Sequence, residues 1–451
     1  MTPTRKQLVD MILDPDHAFS LPSAEIAPLR LRAAQELFEE RRDQMPLLRR
    51  RADEAGIGKI RSFGDLVPLL FTHTVYKSYP PSFFEIGRWD RMLQWLQTLS
   101  AANVSNVNVD GVKNVDEWLE RLWSAGHAVL ATSGTSGKCS FLNHTMQDRA
   151  MKTRHFKYTV GWPFIRASAD RPVFWLGPLV GRNSAVEAAI STAENWGRHG
   201  EIYSLSEPLL ISEVSQDAAM RKKMAEGTAM PQEIKAYEAH MGAKARRTMQ
   251  DMVALADRIL ERRHQPIYLT GMWAQHMFIL KRARELGIGD GEFHPQTVVG
   301  AGGGVKGVVL PLDYKEQVDR FYGKVIRPGS YGMTEMASML PRCQADRYHA
   351  PPGLIMLPLD GPGEKLLGPD DTDGSGQVTG RFGFLDLLYE GRWGGIITGD
   401  KVTVDYSEKC PCGRPGPVIL DTIGRFAQAG EDDHIGCAGT IDSYIRGAIA
   451  V

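Results

Sequence analysis

One stretch of seven residues has the composition of a phosphate-binding loop: Thr132-Ser133-Gly134-Thr135-Ser136-Gly137-Lys138. It follows the apolar run 128–131, which predicts a short buried strand. Hydroxyl groups and the backbone N–H groups of a glycine-rich turn can surround phosphate oxygens, and a lysine adds positive charge. A Walker-type P-loop is excluded, because Thr132 and Cys139 stand where that motif requires glycine and serine or threonine. A flexible serine-glycine linker is the alternative interpretation.

Four further motifs follow in order along the chain. They are Val299-Gly300-Ala301-Gly302-Gly303-Gly304, Ser330-Tyr331-Gly332-Met333-Thr334-Glu335, Thr398-Gly399-Asp400 and Gly424-Arg425. Carboxylate oxygens suit Mg²⁺, and a hydroxyl can donate a hydrogen bond to a phosphoryl oxygen as charge builds there. The glycine turn also fits a dinucleotide-binding pattern, but no clear acidic partner follows on a later strand. For the second motif, a surface turn before a helix is the structural alternative.

The elements that must position these motifs indicate an α/β fold. Residues 1–127 are expected to be mainly helical, with helices over 29–51 and 115–123. Residues 128–330 alternate strand-like and helix-like segments, which predicts a layered α/β core with strands at 173–176, 267–270 and 297–299 and a helix over 272–286. The charged stretch 216–263 predicts a helical insertion or lid. Residues 331–423 predict a β-rich subdomain, with strands at 382–388 and 395–400, and 424–451 form a hinge and tail.

The composition excludes several classes of protein. A formal net charge of -1 argues against broad attraction to nucleic acid or an anionic membrane. No apolar run is long enough to span a bilayer, and the N-terminus lacks the apolar core of a signal peptide. Five cysteines fit reduced thiols better than a disulfide framework. We therefore expect a cytoplasmic protein without nucleic-acid or membrane partners.

The five motifs, taken in order, resemble those of the adenylate-forming superfamily, which includes acyl-CoA synthetases and peptide-synthetase adenylation domains. The resemblance covers residues 128–440 and implies the large adenylation domain of that superfamily. It implies that ATP and Mg²⁺ are the cofactors and that a carboxylic acid becomes an acyl-adenylate as pyrophosphate leaves. By resemblance, Tyr331 stacks near the adenine, Thr334 contacts the α-phosphate and Glu335 helps to hold Mg²⁺. The other implied nucleotide contacts are Lys138, residues 132–137, Gly302, Gly303, Gly332, Asp400 and Arg425, the last two at the ribose.

A second resemblance concerns four residues that suit a metal ion. Cys410-Pro411-Cys412-Gly413-Arg414 and the segment 419–425 look like the phenylacetate-CoA ligase branch, in which some members carry structural zinc. Cys343, His349, Cys410 and Cys412 would supply three thiolates and one imidazole, a closed set for Zn²⁺. Such a site would join the β-rich subdomain to the segment after Glu335 and would take no part in the chemistry. Unrelated reduced cysteines in loops are the alternative.

The chain departs from the family pattern after Arg425. Family members continue into a small mobile domain whose lysine bridges the carboxylate and the α-phosphate, whereas no lysine follows Lys409 here. We therefore expect the small domain to be absent, with Lys138, Arg182 or Lys306 as the substitute cation. The acyl-protein synthetases of bacterial luminescence share the Thr-Ser-Gly loop and the shortened C-terminus, and they transfer the acyl group to a cysteine of their own tail. Cys437 is the matching candidate for the acyl acceptor, and the alternative is that it is a small residue of a packed tail. The alternative to an absent small domain is that the natural protein is longer.

The acid and the acceptor are only partly constrained. The side chains that could line the acyl pocket favour an aryl or medium-sized carboxylic acid. Core packing is the commoner role of the apolar side chains among them. The candidate substrate contacts are Trp175, Arg182, Met272, Trp273, Gly304 and Met333. The acceptor is a thiol or an amine, which leaves free CoA, a carrier protein and a partner amine open. The alternatives are an amide- or ester-forming ligase and a weakly active nucleotide- or acyl-binding subunit that needs a partner.

Overall fold

The structure is a computed structural model that describes residues 1–132, 138–302 and 309–427. The described residues form two compact units. Unit 1 contains residues 1–132, 138–163 and 330–427, and unit 2 contains residues 164–302 and 309–329. These boundaries differ from the expected division at 127, 330 and 423, which stays a prediction.

Proline determines where several helices of unit 1 begin. Pro3, Pro15, Pro46 and Pro81 each occupy the first turn of a helix, where the missing N–H leaves no hydrogen bond unmade. Pro46 also divides the helix expected over 29–51 into two. The helices of unit 1 are α1 (Pro3–Asp10), α2 (Pro15–Ala18), α3 (Ser23–Gln44), α4 (Pro46–Glu54), α5 (Pro81–Glu85), α6 (Trp89–Thr98), α7 (Val115–Ser124) and α8 (Met146–Thr159). Short 3-10 helices cover Met11–Leu13, Phe63–Leu69, His73–Lys77 and Pro369–Asp371.

Unit 2 contains longer helices and a run of parallel strands. Its helices are α9 (Ser184–Trp196), α10 (Ile211–Ala225), α11 (Pro231–Glu261), α12 (Trp273–Glu285) and α13 (Tyr314–Tyr322). The strands of both units, in chain order, are β1 (Phe71–Thr72), β2 (Leu130–Ala131), β3 (Phe141–Leu142), β4 (Arg171–Pro178), β5 (Gly197–Leu205), β6 (Tyr268–Met272), β7 (Val298–Gly302), β8 (Ser330–Tyr331), β9 (Leu340–Pro341), β10 (Arg347–His349), β11 (Leu354–Leu359), β12 (Gln377–Asp386), β13 (Gly395–Asp405), β14 (Val418–Leu420) and β15 (Gly424–Arg425). The strands β4 to β7 belong to unit 2.

The sheet of unit 2 is parallel, in the order β5-β4-β6-β7. Its central strands are apolar on both faces, as buried parallel strands require. Residues of α11, α12 and α13 pack on one cluster around Phe174, Leu269 and Val299, while Trp196 of α9 joins a second cluster with Val173 and Val298. The expected layered α/β core is confirmed. Both α10 and α11 lie in the charged stretch expected to be helical, and its role as a lid stays a prediction.

The sheet of unit 1 is mainly antiparallel, in the order β10-β14-β13-β12-β11. The long strand β13 also pairs with β1 and β15, so it is the centre of this sheet. Two small sheets, β2–β3 and β8–β9, complete the strands of unit 1. The expected strands at 382–388 and 395–400 are confirmed in β12 and β13. Among the described residues, no helix is long and apolar enough to cross a membrane.

Candidate functional site

Three residues predicted to contact the nucleotide meet on the central strand of unit 1. The Tyr331 hydroxyl donates to Asp400 Oδ2 at 2.8 Å. Arg425 Nε lies 3.2 Å from Asp400 Oδ1, and the Arg425 side chain is 62% exposed. The β13–β15 pairing places Arg425 directly opposite Asp400. A buried aromatic ring, a carboxylate and an exposed guanidinium are therefore neighbours in unit 1.

The backbone at Tyr331 is fixed by close packing. The Tyr331 ring is buried against Phe382, with 5.4 Å between ring centroids. A Cβ at the next residue, Gly332, would lie 2.4 Å from Met339 Sδ, so this position requires glycine or a shift of Met339. Burial and the neighbouring Asp400 carboxylate raise the pKa of Tyr331 far above its ordinary value, which keeps the hydroxyl a donor.

Glu335 follows in a turn that is held by hydrogen bonds to its backbone. The Met333 carbonyl accepts from Met336 N at 3.0 Å, and Met333, Thr334 and Glu335 are all half-buried. Two donors reach the Glu335 carbonyl oxygen, Arg392 Nη2 at 2.5 Å and the Tyr389 hydroxyl at 3.3 Å. Burial raises the pKa of the Glu335 carboxyl, Asp400 raises it further, and Arg392 and Lys152 lower it.

The residues on either side of the predicted phosphate loop are joined by a pair of hydrogen bonds. Thr132 N donates to the Ser140 carbonyl at 3.0 Å, and Ser140 N donates to Thr132 Oγ1 at 2.9 Å. The Lys138 ammonium donates to the Tyr79 carbonyl and lies 4.2 Å from the Tyr79 ring centroid. Thr132 is therefore joined to Ser140 through both its backbone and its hydroxyl. The predicted contacts Ser133, Gly134, Thr135, Ser136, Gly137, Gly303, Gly304 and Cys437, with Lys306, lie outside the described residues.

The remaining predicted ligand contacts of unit 2 lie within its strands or shortly after them. Trp175 pairs in register with Thr270, and Thr270 pairs with Gly300. Met272 is 54% exposed at the end of β6, whereas Trp273 packs on the core cluster and against Tyr314. Arg182 is half-buried in the loop after β4, and Gly302 ends β7. Trp273 thus has a packing role, while the substrate roles of Trp175, Arg182, Met272 and Trp273 and the nucleotide contact of Gly302 stay predictions.

A buried histidine contacts the backbone of β7 in unit 2. His276 is fully buried, with Nε2 at 3.1 Å from the Gly300 carbonyl and Nδ1 at 2.9 Å from the Tyr322 hydroxyl. Burial lowers the pKa of His276 to about 4, so its ring is neutral near pH 7. Sequence patterns gave no signal for this residue, because His276 lies within an ordinary amphipathic helix.

The four residues suggested as metal ligands come together in unit 1. We refer to Cys343, His349, Cys410 and Cys412 as the Cys/His cluster, and their ligand atoms all lie within 4.8 Å of one another. Cys343 Sγ is 3.8 Å from Cys410 Sγ, and Cys412 Sγ is 3.5 Å from His349 Nε2. Tetrahedral zinc with its usual bond lengths separates two sulfurs by about 3.8 Å and a sulfur from a nitrogen by about 3.5 Å. The donor set and its spacing therefore fit Zn²⁺.

Two matching turns present the cysteines. Cys343 N donates to the Arg347 carbonyl and Cys410 N to the Arg414 carbonyl, both at 2.8 Å. In each turn the residue three positions after the cysteine donates back to the cysteine carbonyl, from Asp346 at 3.1 Å and from Gly413 at 2.8 Å. Both of these residues have positive φ, 53° and 87°. The pair of turns was not predicted, because Asp346 at the left-handed position hides the similarity to Gly413.

Comparisons with known proteins identify the fold. No family model matches the chain, and no curated protein sequence matches it. The solved structure of 2-hydroxyisobutyryl-CoA ligase in an open conformation, in complex with 2-HIB-AMP and CoA, is similar at TM-score 0.52 and 15% identity and covers 90% of this chain and 76% of that chain. The same ligase in the thioesterification state is similar at TM-score 0.52 and 15% identity, and the match covers 90% of this chain and 69% of that chain. The fold predicted from the motifs, that of the adenylate-forming ligases, is therefore the fold of this chain.

Proposed function

We propose that this protein activates a carboxylic acid with ATP, forming an acyl-adenylate and releasing pyrophosphate. The observation that carries the proposal is the direct contact of Tyr331 and Arg425 with Asp400, which joins three motifs from separate parts of the chain. The fold supports the same reaction, since a similar ligase holds an acyl-adenylate and CoA.

In this reaction the protein acts chiefly by positioning its reactants. Asp400 retains acceptor capacity for ribose hydroxyls while Tyr331 and Arg425 hold its orientation. The Glu335 carboxylate makes no side-chain ion pair within 4.0 Å in the described part of the chain, so it is suited to a divalent cation. When bound, Mg²⁺ would supply charge that offsets the oxygens of the departing pyrophosphate. Thr334 is the proposed donor to the α-phosphate.

Lys138 is the cation that we assign to the phosphates. Its ammonium donates to the Tyr79 carbonyl oxygen and lies over the Tyr79 ring. An ammonium group suits a phosphate oxygen, since it carries three N–H donors and a positive charge. We propose that Tyr79 holds Lys138 in place until a nucleotide arrives.

We propose an aryl or medium-sized acid as the substrate and a thiol or amine as the acceptor. Met272, half-exposed at the end of β6, and Trp175, half-buried within β4, offer apolar contact for such an acid. CoA, a carrier protein and a partner amine are the candidate acceptors, and the CoA in the similar ligase supports the thiol.

The test is carboxylate-dependent exchange of pyrophosphate into ATP with a panel of aryl and aliphatic acids. We expect exchange with at least one acid, and Asp400→Ala should lower it about tenfold to hundredfold because a charged hydrogen-bonding group is lost. Asp405→Ala is the matched control, since it removes a carboxylate from the same strand. Unchanged exchange in Asp400→Ala, or none by the unaltered protein with any acid, contradicts the proposal.

We also propose that the Cys/His cluster binds structural zinc. The spacing of its ligand atoms and the paired turns that present them support this role. Its ligands leave no position for a substrate, so the ion would stabilise unit 1 and not take part in the reaction.

A further inference from the structure

An arginine that belongs to none of the sequence motifs contacts the backbone of Glu335. Arg392 is 0% exposed, and its guanidinium lies 3.8 Å from the centroid of the Tyr389 ring. Arg392 Nη1 donates to the Tyr76 hydroxyl at 2.9 Å, and Nη2 donates to the Glu335 carbonyl at 2.5 Å. The guanidinium is thus held by aromatic and neutral groups, and its shortest hydrogen bond is to the backbone of Glu335.

The charge of Arg392 has no carboxylate partner within 4.0 Å in the described part of the chain, and its buried Nε has no hydrogen-bond acceptor there. The equally buried Arg5 and Arg41 differ, because each forms an ion pair with Glu390, at 2.9 and 2.7 Å. A buried cation without a counter-charge is costly. We therefore expect a role of this charge in the groups that Arg392 contacts, of which the Glu335 carbonyl is one.

Other contacts restrict the same short segment. The Tyr389 hydroxyl also donates to the Glu335 carbonyl, at 3.3 Å. The buried Asp386 carboxylate accepts from Ala337 N and Ser338 N, each at 2.8 Å. The backbone is therefore fixed at residue 335 and again two and three residues later. Arg392 is the member of this group that carries a positive charge.

We propose that Arg392 is a positioning residue for the divalent cation that accompanies the nucleotide. It fixes the Glu335 peptide through the carbonyl oxygen and so orients the carboxylate that binds the ion. This inference rests on the proposed function, and it adds a residue that lies outside all of the nucleotide motifs.

The test measures binding of Mn²⁺·ATP by electron paramagnetic resonance, with pyrophosphate exchange as a second readout. We expect Arg392→Lys to weaken Mn²⁺·ATP binding about tenfold, because a lysine cannot make the same two hydrogen bonds. In a Glu335→Gln background the same substitution should have little further effect, since the carboxylate that Arg392 positions is gone. Arg41→Lys is the matched control, a buried arginine of the same unit that should leave Mn²⁺·ATP affinity unchanged.

The outcomes separate this inference from the proposed function. Equal weakening by Arg392→Lys in both backgrounds, or no weakening in a folded variant, overturns the inference. If Arg392→Lys does not fold, Tyr389→Phe tests the same carbonyl contact and should weaken Mn²⁺·ATP binding roughly twofold to tenfold, again only when Glu335 is present; no such effect overturns the inference as well. Mn²⁺·ATP binding without exchange for any acid contradicts the proposed function alone, and absence of Mn²⁺·ATP binding by the unaltered protein contradicts both.

Discussion

Asp400 uses both oxygens of its carboxylate within the protein. One oxygen accepts from the Tyr331 hydroxyl and the other faces Arg425. Because each carboxylate oxygen can accept two hydrogen bonds, these contacts orient Asp400 and leave capacity for a ligand. A site arranged in this way loses little side-chain entropy when a nucleotide binds.

The parts of the site that could be predicted are those whose residue types stand together in a short run. Tyr331, Asp400 and Arg425 belong to such runs, and the structure brings them together. Arg392 could not be predicted, since its contact with Glu335 joins residues 57 positions apart and is made by tertiary folding. Lys138 was predicted by type, but its packing on Tyr79 depends on a residue 59 positions away.

His276 should make the stability of the protein depend on pH. Its pKa is about 4 in the folded chain and 6.5 as the ordinary value, so the unfolded chain binds the proton first as pH falls. The free energy of unfolding should therefore decrease between about pH 6.5 and pH 4, by roughly 3 kcal/mol from this residue. Urea unfolding at a series of pH values should show a shallower decrease in His276→Gln, which cannot gain a proton.

The matched control for this prediction is His199→Gln, because His199 is an exposed histidine of the same unit. It should retain the full pH dependence of the unaltered protein. Equal slopes in His276→Gln and the unaltered protein would mean that the ring of His276 is not kept neutral by the fold.

Most elements could be predicted, and the errors lie at their ends. The helix expected over 115–123 is α7, and the strands expected at 173–176 and 267–270 lie in β4 and β6. β7 continues through Gly302, whereas the strand was expected to end at residue 299. Pairing with β6 stabilises these glycines in the extended conformation, an effect that local sequence does not contain.

Metal removal should act through β10 and β14. A zinc ion bound by the Cys/His cluster would fix His349 at the end of β10, and β10 pairs with β14, where Tyr348 faces Ile419. Cys343→Ser should abolish stoichiometric zinc and lower the melting temperature by roughly 5–10 °C. Hydrogen exchange of the β10 and β14 amides should become faster in Cys343→Ser, as measured by mass spectrometry.

Cys139→Ser is the control, because Cys139 is buried in unit 1 but does not belong to the Cys/His cluster. It should keep the bound metal, as measured by elemental analysis. Protein that contains no zinc after expression with ample zinc, and that takes up none on titration, would disprove the structural zinc.

The two units differ in how the chain builds them. The described residues of unit 2 all lie between residues 164 and 329, and its core clusters are internal to this stretch. Unit 1 combines an N-terminal segment with a second segment that begins at residue 330. The α/β class could be predicted because strand and helix patterns are local, but the unit boundaries could not, since β1 pairs with β13 across more than 300 residues.

Residues 164–329 expressed alone should therefore fold. We expect a cooperative thermal transition by circular dichroism and dispersed amide resonances, because the core around Phe174 and Leu269 is complete within this segment. Residues 1–163 alone should show no cooperative transition, since Glu390 and β13 are missing. Failure of 164–329 to fold, or cooperative folding of 1–163, would contradict the division into two units.

The divided sheet of unit 1 also has a consequence for protein synthesis in the cell. The first 163 residues leave the ribosome before β13 exists, so the partner of β1 and the Glu390 carboxylate for Arg5 and Arg41 are not yet made. About 240 residues separate this segment from the end of β13, which at ordinary translation rates is a delay of roughly 10–50 s. During that interval unit 2 can fold first, while the exposed apolar surface of the N-terminal helices becomes a natural target for ribosome-associated chaperones.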